Sequence, residues 1–291
     1  MPLSAKEMLK LLKENGYEII SPACGYLACG DTGAGKLPSE EVLLDYILKE
    51  LHYEKDMKGK KVLVTAGPTR EAIDPVRFIS NHSTGKMGYA IARCAMERGA
   101  QVTLITGETS IPKPPFVKVI SVISAADMFE AVKENMEEAD FIIKSAAVAD
   151  YTPAIVADEK IKKKDGDSSI QLERTEDILS YLGAHKREGQ FICGFSMETE
   201  NMLENSKEKL IRKNLDMIVA NNLKQQGAGF GTDTNIVTLI TKEGYQELPI
   251  MSKDEVAKEL IEFIKGKFKI RQCRSFKYKD RPCMNYQIKR L

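Results

Sequence analysis

The period of the apolar positions changes along this chain. Between residues 58 and 265, short apolar runs at 61–66, 101–106, 140–144, 191–195, 216–220 and 236–240 predict buried strands. The stretches between them repeat at helical spacing. Met87, Ile91, Cys94 and Ala95 share one stripe. Ala125, Met128, Phe129, Val132 and Met136 share another, behind a capping box of Ser124 and Asp127. A helix opens near Glu200, with Met202, Leu203, Leu210 and Ile211 turned inward. A last one starts at Ser252, boxed by Glu255, and runs through Val256, Leu260, Ile261 and Ile264. Strands alternating with helices predict an α/β fold, with a doubly wound, mostly parallel, Rossmann-like sheet covered on both faces.

Residues 1–52 follow another pattern. Ser4 and Glu7 box a helix carrying Met8, Leu9, Leu11 and Leu12, which Asn15 and Gly16 stop. YEIIS reads as a short strand and CGYLACGDTGAGKLP as a glycine-rich loop. Ser39 opens a second helix with Val42, Leu43, Tyr46, Ile47 and Leu51 on one face. So few apolar residues bury too little area to fold well alone, so this segment is expected to dock on something. The polar residues 54–59 read as a linker.

Composition removes several classes of partner. The 43 basic residues nearly balance the 42 acidic ones, which argues against nucleic acid or a membrane surface. No apolar run reaches the ~20 residues of a membrane span. The six cysteines form no C-x-x-C pair and there are only three histidines, so a zinc or histidine-rich metal centre is not expected. A reduced, cytoplasmic protein is expected. Residues 266–291 are strongly basic without apolar periodicity and read as a solvated, poorly ordered tail.

Candidate chemistry collects where strands end. Gly67 follows the first strand and Gly85 opens the first helix, too far apart for the six-residue turn of a dinucleotide fingerprint. The intervening loop holds the donors Arg70, Arg77, Asn81 and His82. The second strand ends without an acid in position to grip a ribose, so an NAD(P) oxidoreductase is the weaker alternative. Ala146 to Tyr151 follow the third strand: small residues admit a ligand to the backbone, and Asp150 suits a ribose or a magnesium ion. Lys160, Lys162, Lys163 and Lys164 cluster after that loop, as triphosphate binding requires. Phe195, at the end of the fourth strand, suits stacking on a base or a place in the core.

With those residues in view, TAGPTREAIDPVRFISNHSTGKMG, AAVADY, EKIKKK, GFSMET, RKNLDMIVAN and GFGTDTN resemble, in order, the motifs of phosphopantothenoylcysteine synthetase. ACGDTGAGK resembles the end of phosphopantothenoylcysteine decarboxylase, to which the synthetase is fused in many bacteria. The resemblance implies that residues 58–265 join 4′-phosphopantothenate to cysteine with CTP and Mg2+, through an acyl-cytidylate, as a homodimer. By the same resemblance Asn81 supports the acyl intermediate and Lys160 its formation. Arg77 and Ala147 hold the phosphopantothenoyl part. Gly67, Ser83, Gly85, Ala146, Asp150, Lys163, Phe195 and Phe230 serve the nucleotide, Asp150 also as a magnesium ligand. Cys29 matches the decarboxylase proton donor. The FMN-binding half of that enzyme would precede residue 1, so neither FMN nor decarboxylation is expected of this chain. A non-catalytic nucleotide-binding subunit is a further alternative, disfavoured because Asn81 and the lysine cluster are both present.

Overall fold

The computed structural model describes residues 4–163, 169–198, 201–222 and 232–276. They form two compact units, divided between Lys55 and Asp56. The first contains helix α1 (Ala5–Glu14), strands β1 (Ala23–Tyr26) and β2 (Thr32–Lys36) and helix α2 (Glu40–Leu51). The capping box of Ser4 and Glu7 is formed, and Ser39 accepts from the Val42 amide. The strand expected at YEIIS is absent. The glycine-rich segment after it pairs instead, as an antiparallel hairpin of β1 and β2. Gly30 closes its turn at φ +89°, a left-handed conformation that costs glycine no steric penalty. Neither α1 nor α2 has a buried residue, and Met8, Leu9, Leu11 and Leu12 are exposed.

The second unit runs through β3 (Lys61–Ala66), β4 (Arg70–Ala72), β5 (Phe78–Ser80), α3 (Lys86–Glu97), β6 (Gln101–Thr106), β7 (Lys118–Ser121) and α4 (Ala125–Asn135). It continues with β8 (Phe141–Lys144), β9 (Tyr151–Pro153), β10 (Leu172–Arg174), α5 (Ile178–Ala184), β11 (Phe191–Glu198) and α6 (Met202–Arg212). It ends with β12 (Met217–Asn222), β13 (Thr234–Asn235), β14 (Val237–Thr241), β15 (Gly244–Glu247), β16 (Met251–Ser252) and α7 (Lys253–Phe276). Eight strands make one sheet, in the order β15-β14-β12-β11-β8-β3-β6-β7. From β12 to β7 every pairing is parallel; β14 and β15 add an antiparallel edge. The doubly wound expectation holds.

Chain order reverses at β3, whose neighbours are β6 and β8. In such sheets the crevice beyond the carboxyl ends at the reversal is where ligands bind. On one face, α4, α5 and α6 pack Met128, Val132, Leu179, Leu182 and Leu210 against Leu63, Ile142, Ile192 and Ile218 of the sheet. Helices α3 and α7 pack together, and Ile91, Ala95, Val256, Leu260 and Ile264 are buried.

Two sequence boundaries shift. Asp56 and Met57, expected in the linker, are anchored: Met57 is buried, and Asp56 accepts from Arg98 and Lys265. Helix α7 continues beyond residue 265 to Phe276, into the segment expected to be a poorly ordered tail. Among the described residues, no helix is long and apolar enough to cross a membrane.

Candidate functional site

Two loops at the chain reversal are laced together by hydrogen bonds. The Ala147 amide donates to the Gly67 carbonyl at 3.0 Å, and the Thr69 amide donates to the Ala147 carbonyl at 3.3 Å. Thr65 and Thr69, both fully buried, accept from the amides of Ala146 and Ala149 at 3.2 and 3.0 Å. The loop after β8 therefore has a fixed backbone, and Asn81 joins it by donating its side-chain amide to the Ala147 carbonyl at 3.0 Å. Gly67 and Gly85 both take left-handed φ (+71° and +81°), and a Cβ on Gly85 would stand 3.3 Å from the Gly67 nitrogen. Both positions therefore favour glycine.

A cavity of about 270 Å³ opens above this floor, lined by Asn81, Ser83, Gly85, Ala146, Ala147, Asp150 and Phe195. Lys86, Met87 and Gly88, the first turn of α3, line it too, where helix amides are not used by the helix itself. A second cavity of about 430 Å³ adjoins it on the α5 and α6 side, lined by Arg174, Asp177, Phe195, Lys209 and Lys213. Lys144, Val148, Asp150 and Phe195 line both.

The cleft carries excess positive charge. Lys86, Lys144 and Lys253 line the smaller cavity; Lys144, Arg174, Lys209 and Lys213 line the larger one. Burial pushes the Lys144 ammonium down to about 8, although Asp150 attracts it. Burial and the nearby Lys86 also lower Lys253. Burial works against the Asp177 carboxylate, but Lys213, donating at 2.5 Å, and the Ser180 amide hold it down to about 2.

Arg77 and Lys160 lie elsewhere. Asp74, buried, accepts from the Val76 and Arg77 amides at 2.8 Å each and from Arg77 Nε at 3.0 Å. The Arg77 guanidinium holds the Asp74 carboxyl far below the usual range. The Ile161 amide donates to Asp74 at 3.1 Å, and Arg77 Nη2 donates to the Ile161 carbonyl at 2.9 Å. This knot fixes the segment holding Lys160 to the turn holding Arg77, and neither residue lines the two cavities. Lys160 and Lys163 are exposed. Phe230 lies outside the described residues. Cys29 is exposed in the turn of the β1–β2 hairpin.

Lys144, Lys209 and Lys213 belong to the cleft, although no sequence motif named above contains them as site residues. Lys209 and Lys213 stand four apart on and just after α6, so one helical turn aims both at the same cavity. Lys144 ends the otherwise apolar FIIK, and a lysine at the carboxyl end of a buried parallel strand is the signal that could have found it.

Residues 57–267 match the family model described as DNA/pantothenate metabolism flavoprotein C-terminal domain. The chain belongs to this family. Its relatives include the coenzyme A biosynthesis bifunctional protein CoaBC of Bacillus subtilis, 49% identical over 267 residues, 90% of this chain and 65% of that protein. The chain thus spans about two thirds of that relative's length. A cysteine/cysteine sulfinic acid decarboxylase from an unknown prokaryotic organism is 45% identical over 87% of this chain and 72% of its own. Among solved structures, the C-terminal domain of a coenzyme A biosynthesis bifunctional protein CoaBC is similar at a TM-score of 0.64 and 44% identity, over 74% of this chain and 99% of that domain.

Proposed function

We propose that the second unit is a phosphopantothenate–cysteine ligase of coenzyme A biosynthesis that uses CTP. The observation carrying this reading is the row of cations along two adjoining cavities of about 270 and 430 Å³. The family membership agrees with it. Phosphoryl transfer needs charge neutralisation and alignment more than covalent help from the protein. The CTP base stacks on Phe195, Asp150 takes the ribose, and Lys209 and Lys213 neutralise phosphate charge. A carboxylate oxygen of 4′-phosphopantothenate attacks the α-phosphorus, the bond to the β-phosphate breaks, and pyrophosphate leaves. The amides of the first turn of α3 counter its charge, and Lys160 and Lys163, exposed outside both cavities, are proposed to approach it only once the nucleotide is bound. Cysteine nitrogen then attacks the acyl carbon of the acyl-cytidylate, CMP leaves, and the amine proton passes to solvent. An Asn81 amide hydrogen not given to Ala147 donates to the carbonyl oxygen as charge builds on it.

Mg2+ fits this donor set. Among the described residues no three metal-ligating side chains cluster, but magnesium bound with substrate phosphates needs only one or two protein carboxylates. Asp150 supplies one at the junction of the cavities. When bound, the ion neutralises phosphate charge.

The working form proposed is a homodimer. Val76, Phe78, Ile123, Tyr151, Ile155 and Leu172 are exposed, at 58, 48, 68, 47, 82 and 45%. They belong to elements tied to one another: Arg70 donates to the Ile123 carbonyl and Ala157 to that of Ile73, and β4 packs on β9. An apolar patch of this kind marks an interaction surface.

Decarboxylation, in the name of one relative, is the second reading. Loss of CO2 leaves no triphosphate for these lysines to neutralise, so the cleft favours ligation. Pyrophosphate release should require CTP and 4′-phosphopantothenate together, with amide formation requiring cysteine. Carbon dioxide from cysteine, with no nucleotide consumed, would reverse the choice.

A further inference from the structure

The two cavities meet along one seam, and a single cation lies on it. Lys144 is the last residue of β8, opposite Thr65 of β3 and Gly194 of β11. It lines the smaller cavity beside Asn81 and the larger one beside Lys209 and Lys213. Of the residues common to both, Val148 and Phe195 are apolar and Asp150 is acidic. The Lys144 ammonium donates to the Ala146 carbonyl at 3.1 Å, so the rigid loop after β8 steers it while leaving it two further protons.

We propose that Lys144 is a catalytic residue of the acyl-transfer reaction, touching the non-bridging oxygens of the nucleotide α-phosphate while the carboxylate attacks. This rests on the ligase reading. A reaction that joins a ligand in one cavity to a ligand in the other must pass through atoms at the seam. There, the carboxylate-to-phosphorus bond forms as the bond to the β-phosphate breaks. Lys144, the cation common to both cavities, meets the phosphorus that stays. The charged groups facing it are Asp150 and Asp177, which attract it, and Lys209 and Lys213, which repel it. A lysine partly desolvated before the nucleotide arrives gains more from a phosphate oxygen than a fully hydrated one.

The test is single turnover of the full chain with labelled CTP, on Lys144→Met and Lys144→Arg. Acyl-cytidylate formation should slow ~10²-fold or more in Lys144→Met, as for one lost preorganised donor, and recover in part in Lys144→Arg. Conversion of supplied acyl-cytidylate to the amide should slow by clearly less than ~10²-fold, because there the C–O bond breaks and the new charge starts on the oxygen leaving the acyl carbon, shared only in part with the non-bridging oxygens that Lys144 touches. CMP affinity and thermal midpoint report binding and fold. Acyl-cytidylate formed at the wild-type rate by Lys144→Met overturns the assignment. So does an equal loss in both steps, or a loss matched by a fall in CMP affinity. If Lys144→Met does not fold, Lys144→Gln replaces it under the same criteria. A wild-type chain that releases no pyrophosphate sinks the ligase reading itself, a result these variants cannot mimic.

Discussion

Asn81 and Lys160 stand in different surroundings, and that difference separates the two half-reactions. Asn81 is fixed on the Ala147 carbonyl at the cavity floor, whereas Lys160 is exposed beside the Asp74–Arg77 knot. Lys160→Gln should stop acyl-cytidylate formation. Asn81→Asp should form the intermediate and accumulate it, since one lost donor to a developing oxyanion costs ~10²–10³ in rate. Rapid quench with labelled CTP measures both species, and equal loss of both steps in both variants would reduce these residues to a supporting role. The Asn81 change also removes the bond to Ala147, so a fall in stability of about 1 kcal/mol should accompany it in denaturant titration.

Helix α3 meets the sheet at Gly88, and the fit there leaves no space for a side chain. A Cβ at that position would lie 2.5 Å from the Ala66 Cβ and 3.0 Å from the Thr65 carbonyl oxygen. Gly88→Val should push α3 off β3, cost ~1–3 kcal/mol as overpacking does, and move the first turn of α3 that lines the cavity. Thermal melting and nucleotide affinity should therefore fall together; unchanged affinity in a destabilised protein would separate the helix from the site. Helix α4 provides the contrast. Met128 is fully buried in the opposite layer, so Met128→Ala should cost ~2–5 kcal/mol. Its turnover at a permissive temperature should stay near normal, because α4 does not line either cavity.

Over the second unit as a whole, one ionic cluster ties the chain entering β3 to α3 and α7. Arg98 donates to Asp56 and to Glu262, and Lys265 donates to Asp56 at 2.6 Å. Arg98, through its hydrogen bonds, lowers the Asp56 pKa from 3.8 to about 2. A lowered carboxylate stabilises the fold above its unfolded pKa and loses that contribution as pH falls through the folded value. Stability should drop between about pH 4 and pH 2, and Asp56→Asn should flatten that part of the pH–melting curve. A slope unchanged by Asp56→Asn would exclude this cluster as its source. Removing residues 1–52 keeps Asp56 and Met57 and should leave ligase turnover largely intact. At the exposed apolar patch, Ile155→Asp should convert a dimer to monomers in sedimentation; a wild-type monomer would defeat that proposal directly.

Five of the six expected strands are parallel and were legible before folding because a parallel strand covered on both faces must be almost continuously apolar, and 61–66 and 101–106 are formed as expected; the sixth, β14, pairs antiparallel but is just as fully buried. Helix starts at Ser4, Ser124 and Ser252 were legible too, since a capping box needs only residues three apart. The β1–β2 hairpin escaped notice because glycine supplies no side-chain alternation to read. So did β4, β5, β9 and β10, whose three-residue strands are too short for a period. At the site, the loops after the strands declared themselves by composition: Asn81, Ser83, Gly85, Ala146, Ala147, Asp150 and Phe195 meet in one cavity. Sequence could not assign Lys144, Lys209 and Lys213 to that cleft. They come from the end of one strand and from a helix after the next, and only the sheet's winding brings their charges together. Nor could it separate Arg77 from Asn81, four residues apart in the chain. The difference rests on Asp74, whose buried carboxylate draws the guanidinium away from the cleft.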